Sequence, residues 1–301
     1  MQLVESVPNF SEGQRKDVID KIVSAISTVK GAYVLDLTSD PDHNRSVVTL
    51  VGEPAPILEA LFRCTEKASE LIDLNKHKGT HPRIGAMDVI PLIPFKGIAM
   101  KECIDLSREL GQRIASELRI PVYLYAESAT VLHRKRLPDV RKEEFEGLKE
   151  EIGKEERRPD FGEPYLHPTA GAVAVGARKF ILAYNVNLKT TDLKVAEKVA
   201  KAVRESSGGL VNVQSRGMEL KEQGIIQVSM NLMDFEVTPL YRAYELVKLE
   251  AQRFGAEVLE SEIIGLPPAR ALIQSLAYYI RLKEPASGIT LEERLLEYVY
   301  D

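Results

Sequence analysis

The chain has 301 residues, 44% hydrophobic and 28% charged, with a formal net charge of −5. That length accommodates two domains of about 100 to 200 residues each. No stretch approaches the roughly 18 consecutive apolar residues of a membrane span, and the acidic balance gives no basic footprint for nucleic acid.

The amino terminus has neither the basic start nor the long apolar core of a secretory signal, so the chain reads as cytoplasmic. Cys64 and Cys103 stand alone, with no CxxC and no Cys/His spacing, and read as buried reduced thiols.

In chain order, residues 2 to 7 alternate as a short strand. Pro8 to Gly13 is a turn from which Ser11 or Glu12 opens a helix running to about residue 28. Gly31 ends it. Tyr33 to Leu37 is a strand, Thr38 to Asn44 a polar turn, and Arg45 to Val51 a second strand. Helical spacing runs from Ile57 to Ile72, and Ala86 to Ile93 is a strand. Between them Gly79 and Pro82 disfavour a continuous helix, at about 1 and 3 kcal/mol respectively. A helix over Lys101 to Leu118, a β-prone run over Pro121 to Ala126 and a highly charged segment over residues 133 to 162 follow.

From Phe180 the plan repeats. The spacing predicts a strand to Leu188, a helix over Thr191 to Glu205 capped by Thr190, Thr191 or Asp192, and strands over Leu210 to Arg216 and Ile225 to Leu232. A helix over Thr238 to Phe254, a strand over Glu257 to Ser261, and helices over Pro268 to Ile280 and Leu291 to Val299 complete it. Each half is β-α-β-β-α-β, the order of ferredoxin-like units. The expected class is α+β, with one subdomain over residues 1–178, another over 179–301, and the two facing each other across a cleft.

Three polar clusters could carry chemistry. His81 sits in a loop with His77, Gly79, Pro82, Arg83 and Gly85, between a helix and a strand where catalytic groups are often mounted. An imidazole there can take a proton from an amine nucleophile and return one to a leaving group. His77 and His81 have i,i+4 spacing, but the HExxH glutamate is absent and the helix that would align both rings is broken, so no metal is expected. Asp40 to Arg45 reads either as a plain turn or as a substrate wall in which Arg45 grips a carboxylate. The third cluster is Gly162-Glu163-Pro164-Tyr165-Leu166-His167-Pro168-Thr169-Ala170-Gly171. It reads either as a connector or as a loop offering Tyr165 and backbone amides to a flat heteroaromatic ligand. No GxGxxG follows a strand and no GxxxxGK[ST] occurs, so common nucleotide sites lack support.

Seven ordered blocks add to this reading: Glu5-Ser-Val-Pro-Asn-Phe-Ser-Glu-Gly13, Asn44-Arg45 with Val51-Gly52, His77 to Val89, Pro121 to Tyr125, Pro159-Asp-Phe-Gly162, Gly176 to Phe180, and Asn231 to Val237. Together they resemble the glutamate formimidoyltransferase family over essentially the whole chain. The resemblance implies transfer of a formimidoyl group between 5-formimidoyltetrahydrofolate and L-glutamate, as in histidine breakdown. It also implies two ferredoxin-like subdomains with the folate in a tunnel between them, and tetrahydrofolate as co-substrate.

The family's catalytic histidine falls on His81, and its folate-binding segment on Gly162 to Gly171. Asp42 then becomes a candidate for steadying the cationic amidine or the imidazole, and Arg45 and Arg83 candidates for substrate carboxylates. The vertebrate members are fused to a cyclodeaminase; here that activity is expected on a separate chain, if present, and a homodimer is compatible with the family. At His43 and His167 the chain departs from the vertebrate pattern. Formyl transfer in the same pocket, folate binding without turnover, and a hydrolase using His77 and His81 with a metal are the competing readings.

Overall fold

Apolar residues recur every third or fourth position in Val18, Ile19, Ile22 and Ile26, and again in Ile57, Leu58, Leu61 and Ala68; all are buried. These stripes belong to helices α1 (Lys16–Ser27) and α2 (Pro54–Leu71), which pack with Phe10, Val48, Leu50, Ile90 and Leu92 of the first sheet. The computed structural model describes residues 1–220, 224–283 and 290–300. It divides into two units, Met1–Arg178 and a second that begins at Lys179.

In the first unit, β1 (Leu3–Ser6) and β2 (Asn9–Phe10) form one strand interrupted at Pro8, whose carbonyl still accepts a bond from Val48 N at 3.1 Å. They lie between β4 (Arg45–Gly52) and β5 (Met87–Lys96), antiparallel to both. β3 (Ala32–Asp40) pairs outside β4. Counting the interrupted strand as one, the four stand in the order two, three, one, four. Beyond β5 two parallel strands extend the sheet, β7 (Val173–Ala177) and then β6 (Val122–Leu124).

This extension is covered on both faces. Ile90, Val122, Val173 and Val175 join the core that includes Leu110 of α3 (Met100–Arg113). Their neighbours Val89, Tyr123, Ala172 and Ala174 pack with Val140 and Leu148 of two short helices, α4 (Leu137–Val140) and α5 (Glu144–Glu151). Strands buried on both sides lose the alternation by which a half-exposed strand is recognised.

The charged segment therefore folds as a cap over the sheet, held in part by a buried Arg134–Asp160 pair at 2.7 Å. The helix expected through Leu118 is α-helical only to Arg113. A π turn over Ile114–Leu118 follows and ends at Arg119 in the left-handed region, φ +56°.

The second unit comprises β8 (Leu182–Leu188), α6 (Leu193–Val203), β9 (Val213–Leu220), β10 (Ile225–Leu232), α7 (Leu240–Arg253), β11 (Val258–Ile264), α8 (Ala269–Ile280) and α9 (Leu291–Tyr300). Asp192 caps α6, accepting from Lys194 N at 2.9 Å. Its sheet is antiparallel throughout, in the order β11-β8-β10-β9, which is four, one, three, two. That is the first unit's order read from the opposite edge. β9 begins three residues later than expected, because Leu210 is tied back to Val203 O at 2.8 Å before the strand can start. The chain is thus α+β with two separate sheets. Among the described residues no helix is long and apolar enough to cross a membrane.

Candidate active site

The site forms where the β3–β4 hairpin turn meets the loop between α2 and β5. Asp40 Oδ1 accepts the backbone N–H groups of Asp42 at 2.9 Å and His43 at 2.8 Å, closing the turn. Asn44, at φ +49°, accepts from Gly13 N at 2.9 Å and donates to Lys78 O at 2.9 Å, joining turn and loop. A Cβ on Gly79 would lie 2.3 Å from the His43 carbonyl oxygen. Glycine is required there by the close approach of two backbones.

This junction brings His43, Arg45, His77, His81, Arg83 and Asp88 around one narrow crevice backed by Phe10 and Ser11. His81 is partly buried, with its ring centroid 6.0 Å from that of His43 and the planes at 88°. Burial, reinforced by the positive charges of Arg45 and Arg141, pushes its pKa down to about 4, with Asp88 opposing the shift. His81 is therefore neutral at pH 7 and carries a lone pair able to accept a proton.

The other two histidines are oriented by their partners. Nε2 of His77 lies 2.9 Å from the Asn44 carbonyl, and its Nδ1 accepts from Arg83 Nε at 3.2 Å. These contacts fix the neutral Nε2–H tautomer and occupy both nitrogens, so His77 offers no lone pair to share with His81 on a metal. Its part is to brace the loop. Nδ1 of His43 lies 2.7 Å from Asp40 Oδ2.

The arginines differ in the same way. Arg83 is buried, donating to Glu144 at 2.9 Å and to both oxygens of Glu146 at 2.8 and 2.6 Å. Arg141 donates to Asp88 Oδ2, from Nε at 2.9 Å, while Asp88 Oδ1 accepts from Ile84 N at 2.8 Å. Arg45 bonds the neutral carboxamide of Asn9, from Nε at 2.8 Å and from Nη2, and among the described residues has no carboxylate within ion-pair distance. Burial, with Arg141 nearby, lowers its pKa to about 10, so its charge persists at pH 7.

Asp42 is exposed, and its carbonyl accepts from Thr80 N at 3.3 Å. The carboxylate that engages an imidazole is Asp40, two residues earlier. The expectation that Arg83 grips a substrate carboxylate meets a guanidinium already committed to Glu144 and Glu146.

Gly162 to Gly171 is tied to the first unit at both ends. Phe161 O accepts from Val122 N at 2.9 Å, while Thr169 O and Ala170 O accept from Leu74 N and Ala86 N, each at 2.9 Å. His167 N and Gly171 N each donate to the other's carbonyl at 3.1 Å, and His167 Nδ1 accepts from Ala170 N at 3.0 Å. Gly171 has φ +70°, and a Cβ there would lie 2.2 Å from Ile84 O. Gly162, Glu163 and Tyr165 line a cleft of about 380 Å³ with Gln112, Ser116 and Arg119, and Tyr165 is 59% exposed.

One buried group was not foreseen. Glu5 on β1 has its carboxyl raised to about 7 by burial, despite Arg178.

Residues 3–178 match the N-terminal subdomain of the formiminotransferase domain, and residues 183–299 match the formiminotransferase domain. The chain belongs to the formiminotransferase family. The His81 crevice and the Gly162 to Gly171 loop both lie in its N-terminal subdomain.

Among relatives of this formiminotransferase chain, glutamate formimidoyltransferase of Streptococcus pyogenes serotype M1 is 47% identical, over 94% of this chain and 95% of that one. The protein of the same name from Thermoplasma acidophilum is 46% identical over 98% of both. Formimidoyltransferase-cyclodeaminase of Rattus norvegicus is 45% identical over 92% of this chain but only 52% of its own length.

Proposed function

We propose that the chain is a glutamate formimidoyltransferase, moving a formimidoyl group between N-formimidoyl-L-glutamate and tetrahydrofolate. The observation that carries this is 46% identity to a protein of that name over 98% of both chains. The crevice supports it chemically, because it holds a neutral imidazole beside an arginine that, among the described residues, forms no ion pair with a carboxylate.

In this reading Arg45 receives a carboxylate of the glutamate moiety, where a charge-assisted bidentate pair is strong. His81 accepts the proton from the attacking nitrogen and delivers it to the departing one. Toward 5-formimidoyltetrahydrofolate, folate N5 forms the new bond to the amidine carbon, N5 loses its proton to His81, and the C–N bond to glutamate breaks as that nitrogen takes the proton. Toward N-formimidoylglutamate the order is reversed. Holding both reactants in near-attack geometry contributes roughly 7 to 11 kcal/mol in favourable cases.

Tyr165 and the amides of Gly162 to Gly171 hold the pterin or its aromatic extension, and the exposed Asp42 steadies the cationic amidine. Each unit is read as ferredoxin-like, from its β-α-β-β-α-β order and its shared strand arrangement. The working protein is a cytoplasmic homodimer.

The test is incubation of purified protein with N-formimidoyl-L-glutamate and tetrahydrofolate, with and without EDTA, following loss of free tetrahydrofolate. Turnover indifferent to EDTA is expected. No turnover, or turnover only with the formyl analogue, would overturn the assignment, and inhibition by EDTA would restore a metal mechanism.

A further inference from the structure

The transfer proposed above moves two protons. One leaves folate N5 and arrives on the departing glutamate nitrogen, and a single base can carry it. The glutamate so released is a neutral amine, and it becomes the ammonium found in water only by gaining a second proton. In the reverse reaction that proton must leave before glutamate can attack.

His81 suits the first movement better than the second. It is half-buried, and Arg45 and Arg141 oppose a lasting positive charge on it. A base of that kind carries a proton in passing but exchanges poorly with solvent.

A second part-exposed imidazole stands beside it. His43 is 44% exposed at the side chain, and its ring meets that of His81 edge to face at 6.0 Å. Asp40 Oδ2 lies 2.7 Å from its Nδ1. Although burial opposes it, hydrogen bonds from the backbone and ring of His43 hold the Asp40 carboxyl below its ordinary range. An ionised carboxylate only accepts, so Nδ1 carries the hydrogen and Nε2 the lone pair. The turn does not need this contact, because Asp40 Oδ1 alone takes the backbone N–H groups of Asp42 and His43. The charged and titratable groups that share the crevice with the ring are Arg45 of the hairpin, His77, His81 and Arg83 of the loop, and Asp88 of β5, with Asp40 on its Nδ1.

We propose that His43, positioned by Asp40, is a second acid/base of this site and exchanges the glutamate-amine proton with solvent while His81 carries the N5 proton. This rests on the formimidoyl-transfer reading.

The test uses the full chain with His43→Gln and Asp40→Asn, each checked for unchanged thermal unfolding, and measures kcat and KM for both substrates across pH. For His43→Gln, kcat falls about 100-fold, the lower end of general acid–base contributions. KM stays within about threefold, and added imidazole restores part of the rate in proportion to its concentration. Asp40→Asn keeps the turn and lowers kcat in the same direction but by less, with KM within about threefold, because the ring loses the contact that orients it. Full kcat for His43→Gln at every pH, or a loss confined to KM that imidazole does not relieve, overturns the assignment while leaving the transfer reading in place. An inactive wild-type protein overturns the transfer reading, and the role of His43 with it.

Discussion

The two sides of the His81 crevice are built from the same residue types and do opposite things. On one side Arg83 meets Glu144 and Glu146, and Arg141 meets Asp88, so each cation is answered by the protein's own carboxylates. On the other, Arg45 hydrogen-bonds the neutral carboxamide of Asn9 and, among the described residues, forms no ion pair; Asp88 and Asp40 act on it without direct contact, and its own charge acts on His81. The closed side fixes loop and sheet; the open side leaves a positive charge and a neutral imidazole for a ligand. The number of arginines in a crevice says little about anion binding until their internal partners are known.

Removing His81 tests the open side most severely. His81→Gln should lower kcat by about 10²- to 10⁴-fold, the usual contribution of a positioned acid/base, with substrate KM nearly unchanged; full turnover in this variant would end the mechanism. The same substitution has a stability signature. Burial depresses the folded pKa from 6.5 to about 4, so the unfolded chain binds the extra proton between those values, and stability falls as pH drops through that window. Denaturant melts should show His81→Gln gaining on wild type from pH 6.5 down to 4, and no difference in slope above 6.5.

Next in size is Arg45→Gln. Loss of a charge-assisted pair, about 1.5 to 3 kcal/mol, raises KM for N-formimidoylglutamate roughly 10- to 150-fold. Arg45 also depresses the His81 pKa, second only to burial, so its removal should shift the acid limb of kcat/KM to higher pH. A KM change without that shift would mean that the two groups do not share one site.

The sequence made the open side legible and hid the closed one, for a physical reason. Turn and loop are written locally: Asp40, Pro41 and Asn44 set the hairpin, Gly79 and Pro82 break the helix, and Arg45 begins its strand where the alternation starts. The pairs that close the other side join residues 53 to 63 positions apart, Asp88 with Arg141 and Arg83 with Glu144 and Glu146, and no spacing rule reaches that far. They are carried by the cap over residues 133 to 162, which the sequence shows only as a highly charged segment. The parallel strand Val173–Ala177 escaped because a two-face burial pattern built from Val, Ala and Gly shows no period. His43 was visible as a turn residue, but Asp40's two-oxygen grip on it depends on backbone geometry.

Smaller effects separate the folate loop from the crevice. Tyr165→Ala removes an exposed ring worth about 1 kcal/mol in a stacking contact, so KM for tetrahydrofolate should rise about fivefold, with KM for N-formimidoylglutamate and kcat nearly constant. An equal rise in both KM values would place Tyr165 outside the folate's path.

The smallest effect on turnover belongs to the closed side and is the most pointed check on the comparison. Arg83→Met keeps the length of the side chain and deletes its charge. Glu144 and Glu146 are 44% and 62% exposed at the side chain, so water can rehydrate them, and the variant should lose only about 1 to 2 kcal/mol of stability, smaller than the loss from breaking a fully buried pair. For a unit of this size that corresponds to a fall in Tm of roughly 2 to 8 °C. KM for N-formimidoylglutamate should stay within about threefold, because the lost charge was neutralised before any substrate arrived. A tenfold rise in that KM with an unchanged Tm would show that substrate displaces Glu144 and Glu146, and that the closed side opens when the ligand binds.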